Sequence, residues 1–196
     1  RANWAAKKNS SVYSSLNMEP KPVTMQSIAN VKAFSCDTLD AAGQQQLKNA
    51  HKRLLMVASK QPENVEVGRV FDIKMKPLTK DITGNAEGSS VQRPNFDTPY
   101  VVIHTHPACG IFSHGDLSSF TRNKNLKLMT AIGHNGHIYA VEKSINYDAA
   151  AANGIVWNLN AEINRLKNIP RAELPDEQLL EQAEKLVWQA IGGPQK

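Results

Sequence analysis

The chain has 196 residues, 41% of them apolar and 21% charged. That is the composition of one globular domain with appendages, and it excludes fibrous and wholly disordered classes. No apolar run is long enough to span a bilayer, and the two cysteines, Cys36 and Cys109, make neither a disulfide framework nor a four-cysteine zinc site.

The cysteine usage points to a reducing compartment, and the expected location is cytoplasmic. The net charge of +5 is uneven: residues 1–80 hold 13 Lys/Arg against 6 Asp/Glu, and the remainder 10 against 12. A basic front half attracts acidic partners. The cations are scattered, however, aromatic residues make up only 6%, and no nucleic-acid motif appears, which argues against nucleic acid as the partner.

Residues 1–35 read as a lead-in or linker. Ser10, Ser11, Ser14 and Ser15 cluster there, and Glu19-Pro20-Lys21-Pro22 breaks any helix. With Arg as first residue, the expectation is a tether to a segment of a longer polypeptide. Asp37 or Thr38 then caps a helix whose apolar positions Leu39, Leu47, Ala50, Leu54, Leu55 and Ala58 follow helical spacing up to Pro62. From Val65 to Met75 the sequence turns strand-rich, and Pro77 closes the run. Residues 80–99, with Gly84, Gly88, Pro94 and Pro99, form a loop long enough for a binding role.

Tyr100-Val101-Val102-Ile103 reads as a central strand buried on both faces, running straight into His104-Thr105-His106-Pro107. Ser113 opens a short helix to residue 122. Two further strands, Leu126–Ile132 and His137–Val141, flank an Asn-Gly hairpin signal. Helices follow over 149–168 and 176–191, with Trp157 and Trp188 at positions suited to packing. The order predicts an α/β domain on a single mixed β-sheet flanked by helices. The core domain is 36–145, with 146–196 as C-terminal helices packed on it.

The chemistry-bearing residues gather around the buried strand. In a strand, residues i and i+2 point to one side, so His104 and His106 present two imidazoles to one point. Asp116 follows nine positions after Pro107, in a Ser-x-x-Asp spacing from Ser113. Two imidazoles and one carboxylate suit zinc and leave a fourth position open, the ligand count of a catalytic site. Ser113 with Asp116 also has the pattern of a helix capping box. The two readings are compatible, because a capped first turn is a rigid place from which to present a carboxylate. Cys109 reads as a small loop filler, and His114, His134 and His137 as solvent-facing. An amidohydrolase-type barrel also uses His-x-His at a strand end, but needs about 250 residues.

His104-Thr105-His106-Pro107, a five-residue loop and then Ser113-His114-Gly115-Asp116 resemble the JAMM motif of JAB/MPN-type zinc metalloproteases. The resemblance implies a JAB/MPN-like fold with cytidine-deaminase-like layering. It implies Zn2+ on His104, His106 and Asp116, and a role for Ser113 in stabilising the tetrahedral intermediate. It also implies an upstream Glu as general base. Glu63, Glu66 and Glu87 are the candidates, and Glu66, at the start of the first strand, is where the family places it. The implied activity is a metallopeptidase or isopeptidase acting on a protein or peptide substrate.

Residues 36–145 are also similar to JAB-like domains of bacterial tailed-phage and prophage head-associated proteins. That similarity implies phage or mobile-element structural proteins as partners, and the bacterial cytoplasm or a phage particle as location. The reading from a different class is a non-catalytic structural module of such a particle.

Overall fold

The computed structural model describes Ala2 and residues 4–8, 19–84 and 94–192. Along the chain lie β1 (Trp4–Lys8), α1 (Met25–Ala29), α2 (Ala41–Ala58), β2 (Val67–Asp72), β3 (Ile82–Thr83), β4 (Tyr100–His106), α3 (His114–Arg122), β5 (Leu126–Gly133), β6 (Ile138–Lys143), α4 (Ala149–Lys167) and α5 (Asp176–Ala190). The strands form one six-stranded sheet in the order β1-β6-β5-β4-β2-β3. β4 and β5 run parallel, joined by a crossover through α3, and every other pair is antiparallel. The architecture is α/β on a single mixed sheet. No helix among the described residues is long and apolar enough to cross a membrane.

Both sheet faces are covered, and β4 at the centre is buried along its whole length. Its alternation divides the core. Tyr100 and Val102 face a cluster with Phe112, Leu117 and Phe120 of the α3 segment and with Val156, Leu159 and Val187 of α4 and α5. Val101 and Ile103 face the opposite cluster with Leu47, Leu54 and Leu55 of α2. Continued by two residues at a time, the first series reaches His104 and His106, so the two histidines fall on the α3 face.

Several elements differ from the expected ones for local reasons. α2 is capped by Asp40, whose carboxylate accepts from Gly43 N–H at 2.7 Å. The backbone N–H groups of Asp37 and Thr38 instead donate to the buried Glu142 carboxylate at 3.0–3.1 Å, pinning this segment to β6. β2 stops at Asp72, whose Oδ1 accepts from Lys74 and Lys76 N–H, and Met75 takes a φ of 61° in that turn. Within the 80–99 loop, Ile82–Thr83 pairs with the start of β2, and residues 85–93 lie outside the described residues. Trp157 is 78% exposed and not packed, whereas Trp188 stacks edge-on against Tyr139 at 6.0 Å.

The front of the chain is more than a lead-in. β1 pairs with β6 over five residues, and Trp4 is 8% exposed, with its ring 6.2 Å from that of Phe120. Val31 joins the α2-side core. Gly136, in the β5–β6 turn, has φ +87° and comes so close to Ser27 O that a Cβ would lie 2.1 Å from it. Loss of Trp4 therefore removes core surface, and Trp4→Ala should cost about 3 kcal/mol in denaturant unfolding. A front segment acting only as a tether would give no change.

His51 on α2 is fully buried, and its Nε2 lies 2.7 Å from Thr130 Oγ1 of β5. Burial lowers its pKa from 6.5 to about 3. The unfolded chain therefore takes up a proton that the folded one refuses. The stability His51 contributes is present above about pH 6.5 and is lost as pH falls towards about 3. His51→Gln keeps a polar partner for Thr130 without a titrating group. Its unfolding free energy should fall less steeply over that window, and an unchanged acid slope would count against this assignment.

Candidate metal centre

β4 delivers the two imidazoles and α3 the carboxylate. His104 is 0% exposed and Asp116 3%. Ser113 caps α3: its Oγ accepts from Asp116 N–H at 3.1 Å, and Ser113 N–H donates to Asp116 Oδ2 at 2.9 Å. The capping box is therefore formed, and it aims the Asp116 carboxylate at β4. Carboxylate charge at the third position of a helix is also favoured by the helix dipole.

The resulting triangle is tight. His104 Nε2 and His106 Nε2 are 3.0 Å apart; His104 Nε2 lies 3.2 Å from Asp116 Oδ1 and His106 Nε2 lies 3.2 Å from Asp116 Oδ2, so the carboxylate spans the two imidazoles. For ligand bonds of about 2.0–2.1 Å, a tetrahedron has edges of about 3.3 Å. One ligand atom from each of the three residues lies within 4.8 Å of the others, a spacing that a small shift of the carboxylate would bring to one face of such a tetrahedron. His104, His106 and Asp116 can therefore hold a metal ion. Three protein ligands of this type leave one position open.

Second partners fix the ligands. His106 Nδ1–H donates to the Gly110 carbonyl at 2.9 Å. That leaves the Nε2 lone pair facing the triangle, the arrangement by which metal-binding histidines are oriented. Cys109 precedes it with φ 64°, buried, its Sγ 3.8 Å from Pro107 O. Burial pushes the Cys109 thiol up, and the three convergent ligand atoms come from His104, His106 and Asp116. A Cβ on Gly133, at the end of β5, would lie 3.0 Å from Cys109 Cα, so glycine permits that approach. His134 is 1% exposed and not solvent-facing: its Nδ1 donates to Lys21 O at 2.6 Å, while Lys21 N–H donates to Pro107 O at 3.0 Å. The front segment thus straps the motif loop.

The charges interlock. Burial pushes the Asp116 carboxyl up, but His104 and His106 together hold it well below the carboxylate range. Burial pulls His106 down, but Asp116 outweighs it, aided by Glu66 and the Gly110 carbonyl, and His106 stays above its ordinary value. A proton on this imidazole is what a bound cation displaces.

Of the three upstream glutamates, Glu66 reaches the triangle. Its Oε1 lies 4.0 Å from His106 Nε2, and its side chain is 21% exposed. Gly68 pairs with His104, and Val67 N–H donates to Thr105 Oγ1 at 2.9 Å, which fixes the chain beside Glu66. Glu63 is exposed and acts electrostatically on His134. Glu87 lies outside the described residues. The site meets solvent through His106 and Glu66, since His104 and Asp116 are sealed. Thr105, Gly110 and the Lys21–His134 strap were not legible as site residues. The only trace of the first was its place between the two histidines.

Comparison with protein-family models, with curated proteins and with solved structures finds no match to this chain.

Asp116→Ala leaves two imidazoles. The purified variant should lose most bound metal by mass spectrometry while its circular dichroism is unchanged. Because His106 is held above 6.5 by Asp116, metal affinity should fall as pH drops through and below that value. A pH-independent affinity, or a fully loaded Asp116→Ala, would place the metal elsewhere.

Proposed function

We propose that this chain is a zinc-dependent hydrolase of peptide or isopeptide bonds with a JAB/MPN-like fold, using His104, His106 and Asp116 as ligands. The observation that supports this most is Glu66 Oε1 standing 4.0 Å from the His106 ligand nitrogen. That is too far for a direct bond and near enough to share one water. A zinc ion on the triangle would supply Lewis-acid polarisation of the scissile carbonyl and lower the pKa of a water to about 7.

The chain's own groups do the rest. Glu66, with partial solvent access, takes the proton of the attacking water and returns it to the leaving amine. Ser113 Oγ accepts from Asp116 N–H, which leaves its O–H proton free to donate to the developing oxyanion. Asp116 and the Gly110 carbonyl hold the imidazoles in place, so little reorganisation is needed. A scaffold role alone, as a structural module of a phage particle or mobile element, gives no reason to keep a carboxylate beside this triangle. The substrate is a protein or peptide chain, met from the side where His106 and Glu66 reach solvent.

The test is Glu66→Gln, which keeps the shape but cannot take a proton. Zinc should remain at about one per chain. Hydrolysis of peptides or isopeptides by the zinc-loaded chain should fall by roughly 10²–10⁴, with Glu63→Gln near neutral. Full activity in Glu66→Gln would refute its role as base, and a zinc-loaded wild type that cleaves no amide bond would refute the hydrolase reading.

A further inference from the structure

At the far end of the sheet from His106, roughly 20 Å away along β4, a cleft of about 560 Å³ opens beside the end of β6. Arg122 from α3, Lys124 from the following turn, Lys127 from β5 and Lys143 from β6 line it. None of these four cations has a carboxylate partner among the described residues. Lys143 is 9% exposed, and its Nζ sits over the rings of Phe120 at 4.6 Å and Tyr147 at 4.9 Å. It donates to Asn123 O, and two of its three N–H groups remain for another acceptor. Tyr147 lines the same cleft, and its hydroxyl is buried with no hydrogen-bond partner.

A buried cation without a counter-charge and a buried hydroxyl without a partner are both costly. Burial, and then Lys127, lower the Lys143 pKa from 10.5 to about 7. Burial, and then the Asp148 carboxylate, raise Tyr147 to about 12, so its hydroxyl is a neutral donor at physiological pH. Both deficits are of one sign: the lining holds four cationic side chains and no carboxylate, with Thr121, Ser144 and Asn153 beside Tyr147 as its neutral polar groups. A single carboxylate has only two oxygens for these donors, whereas a phosphate monoester offers three terminal oxygens and close to two charges. The cleft volume lies within the range of small-molecule sites, and the Tyr147 ring and exposed Ile145 provide an apolar wall for an organic portion.

We propose that this cleft is a binding site for a small phosphate monoester, with Lys143 and the Tyr147 hydroxyl as the inner donors and Lys127, Lys124 and Arg122 around them. It is separate from the metal centre and does not depend on the hydrolase reading.

Titration calorimetry of the full chain with phenyl phosphate and with inorganic phosphate tests this. An Asp116→Ala background keeps anions from reaching a loaded metal. Both probes should bind at one site, phenyl phosphate more tightly, and each should raise the thermal unfolding temperature. Lys143→Met preserves the apolar stem packing and should weaken phenyl phosphate at least tenfold. Tyr147→Phe removes only an oxygen that no described group uses, so it should fold normally and weaken binding about three- to tenfold. Unchanged affinity in both folded variants, or no saturable binding, would overturn the proposal. So would a twelve-nucleotide oligothymidylate binding more than tenfold tighter than phenyl phosphate with steep salt dependence, which would identify a nucleic-acid backbone as occupant.

Discussion

The constraint on which the site depends is the burial of β4 on both faces. A strand with a core on each side must alternate its side chains between two sealed layers. His104 and His106 enter the layer shared with α3, and Thr105 enters the layer shared with α2. Two imidazoles in such a layer need acceptors or a cation. The first turn of α3 supplies Asp116, 3% exposed and fixed by its own capping box. The Asp116 carboxylate meets both imidazoles, and the three residues could hold a metal ion between them. Asp116, with Glu66 and the Gly110 carbonyl, holds the His106 imidazole above its ordinary value despite its burial.

The surrounding structure holds that arrangement stiff. β4 and β5 run parallel, so the end of β5 lies beside the end of β4, where Gly133 lets Cys109 come close. His134 then reaches the Lys21 carbonyl, and Lys21 N–H returns to Pro107. On the other side, antiparallel β2 brings its first residues next to His104, with Thr105 Oγ1 holding Val67. Glu66 immediately precedes β2, whose pairing with β4 brings it beside His106, and its carbonyl accepts from Gly84 N–H at 2.8 Å.

Much of this was legible in the sequence because it rests on short-range rules. Alternation in Tyr100–His106 placed both histidines on one side, and Ser-x-x-Asp gave both the cap and the carboxylate that meets them, since here they are the same feature. Glu66, at the start of the strand-rich run, lies near His106 because β2 pairs with β4. What escaped was long-range. Nothing local in Trp4–Lys8 says that it closes the sheet edge against β6, 130 residues later, so the front looked like a tether. His134 looked exposed because it lies in a turn, and it is buried because a distant strap covers that turn. Asp37 and Thr38 looked like helix caps, and their N–H groups are instead claimed by Glu142. Lys143 reads as a strand-end lysine until Phe120 and Tyr147 are seen to close around it.

His104, His106 and Asp116 bring three metal-ligand atoms within 4.8 Å of one another, with no thiolate among them. X-ray absorption of the zinc-loaded full chain at the zinc edge tests this ligand set most directly. Two imidazole nitrogens and light oxygen donors at about 2.0–2.2 Å are expected, with no sulfur in the shell. A zinc–sulfur distance of about 2.3 Å, which would bring in Cys109, or a shell of more than two imidazoles would contradict it.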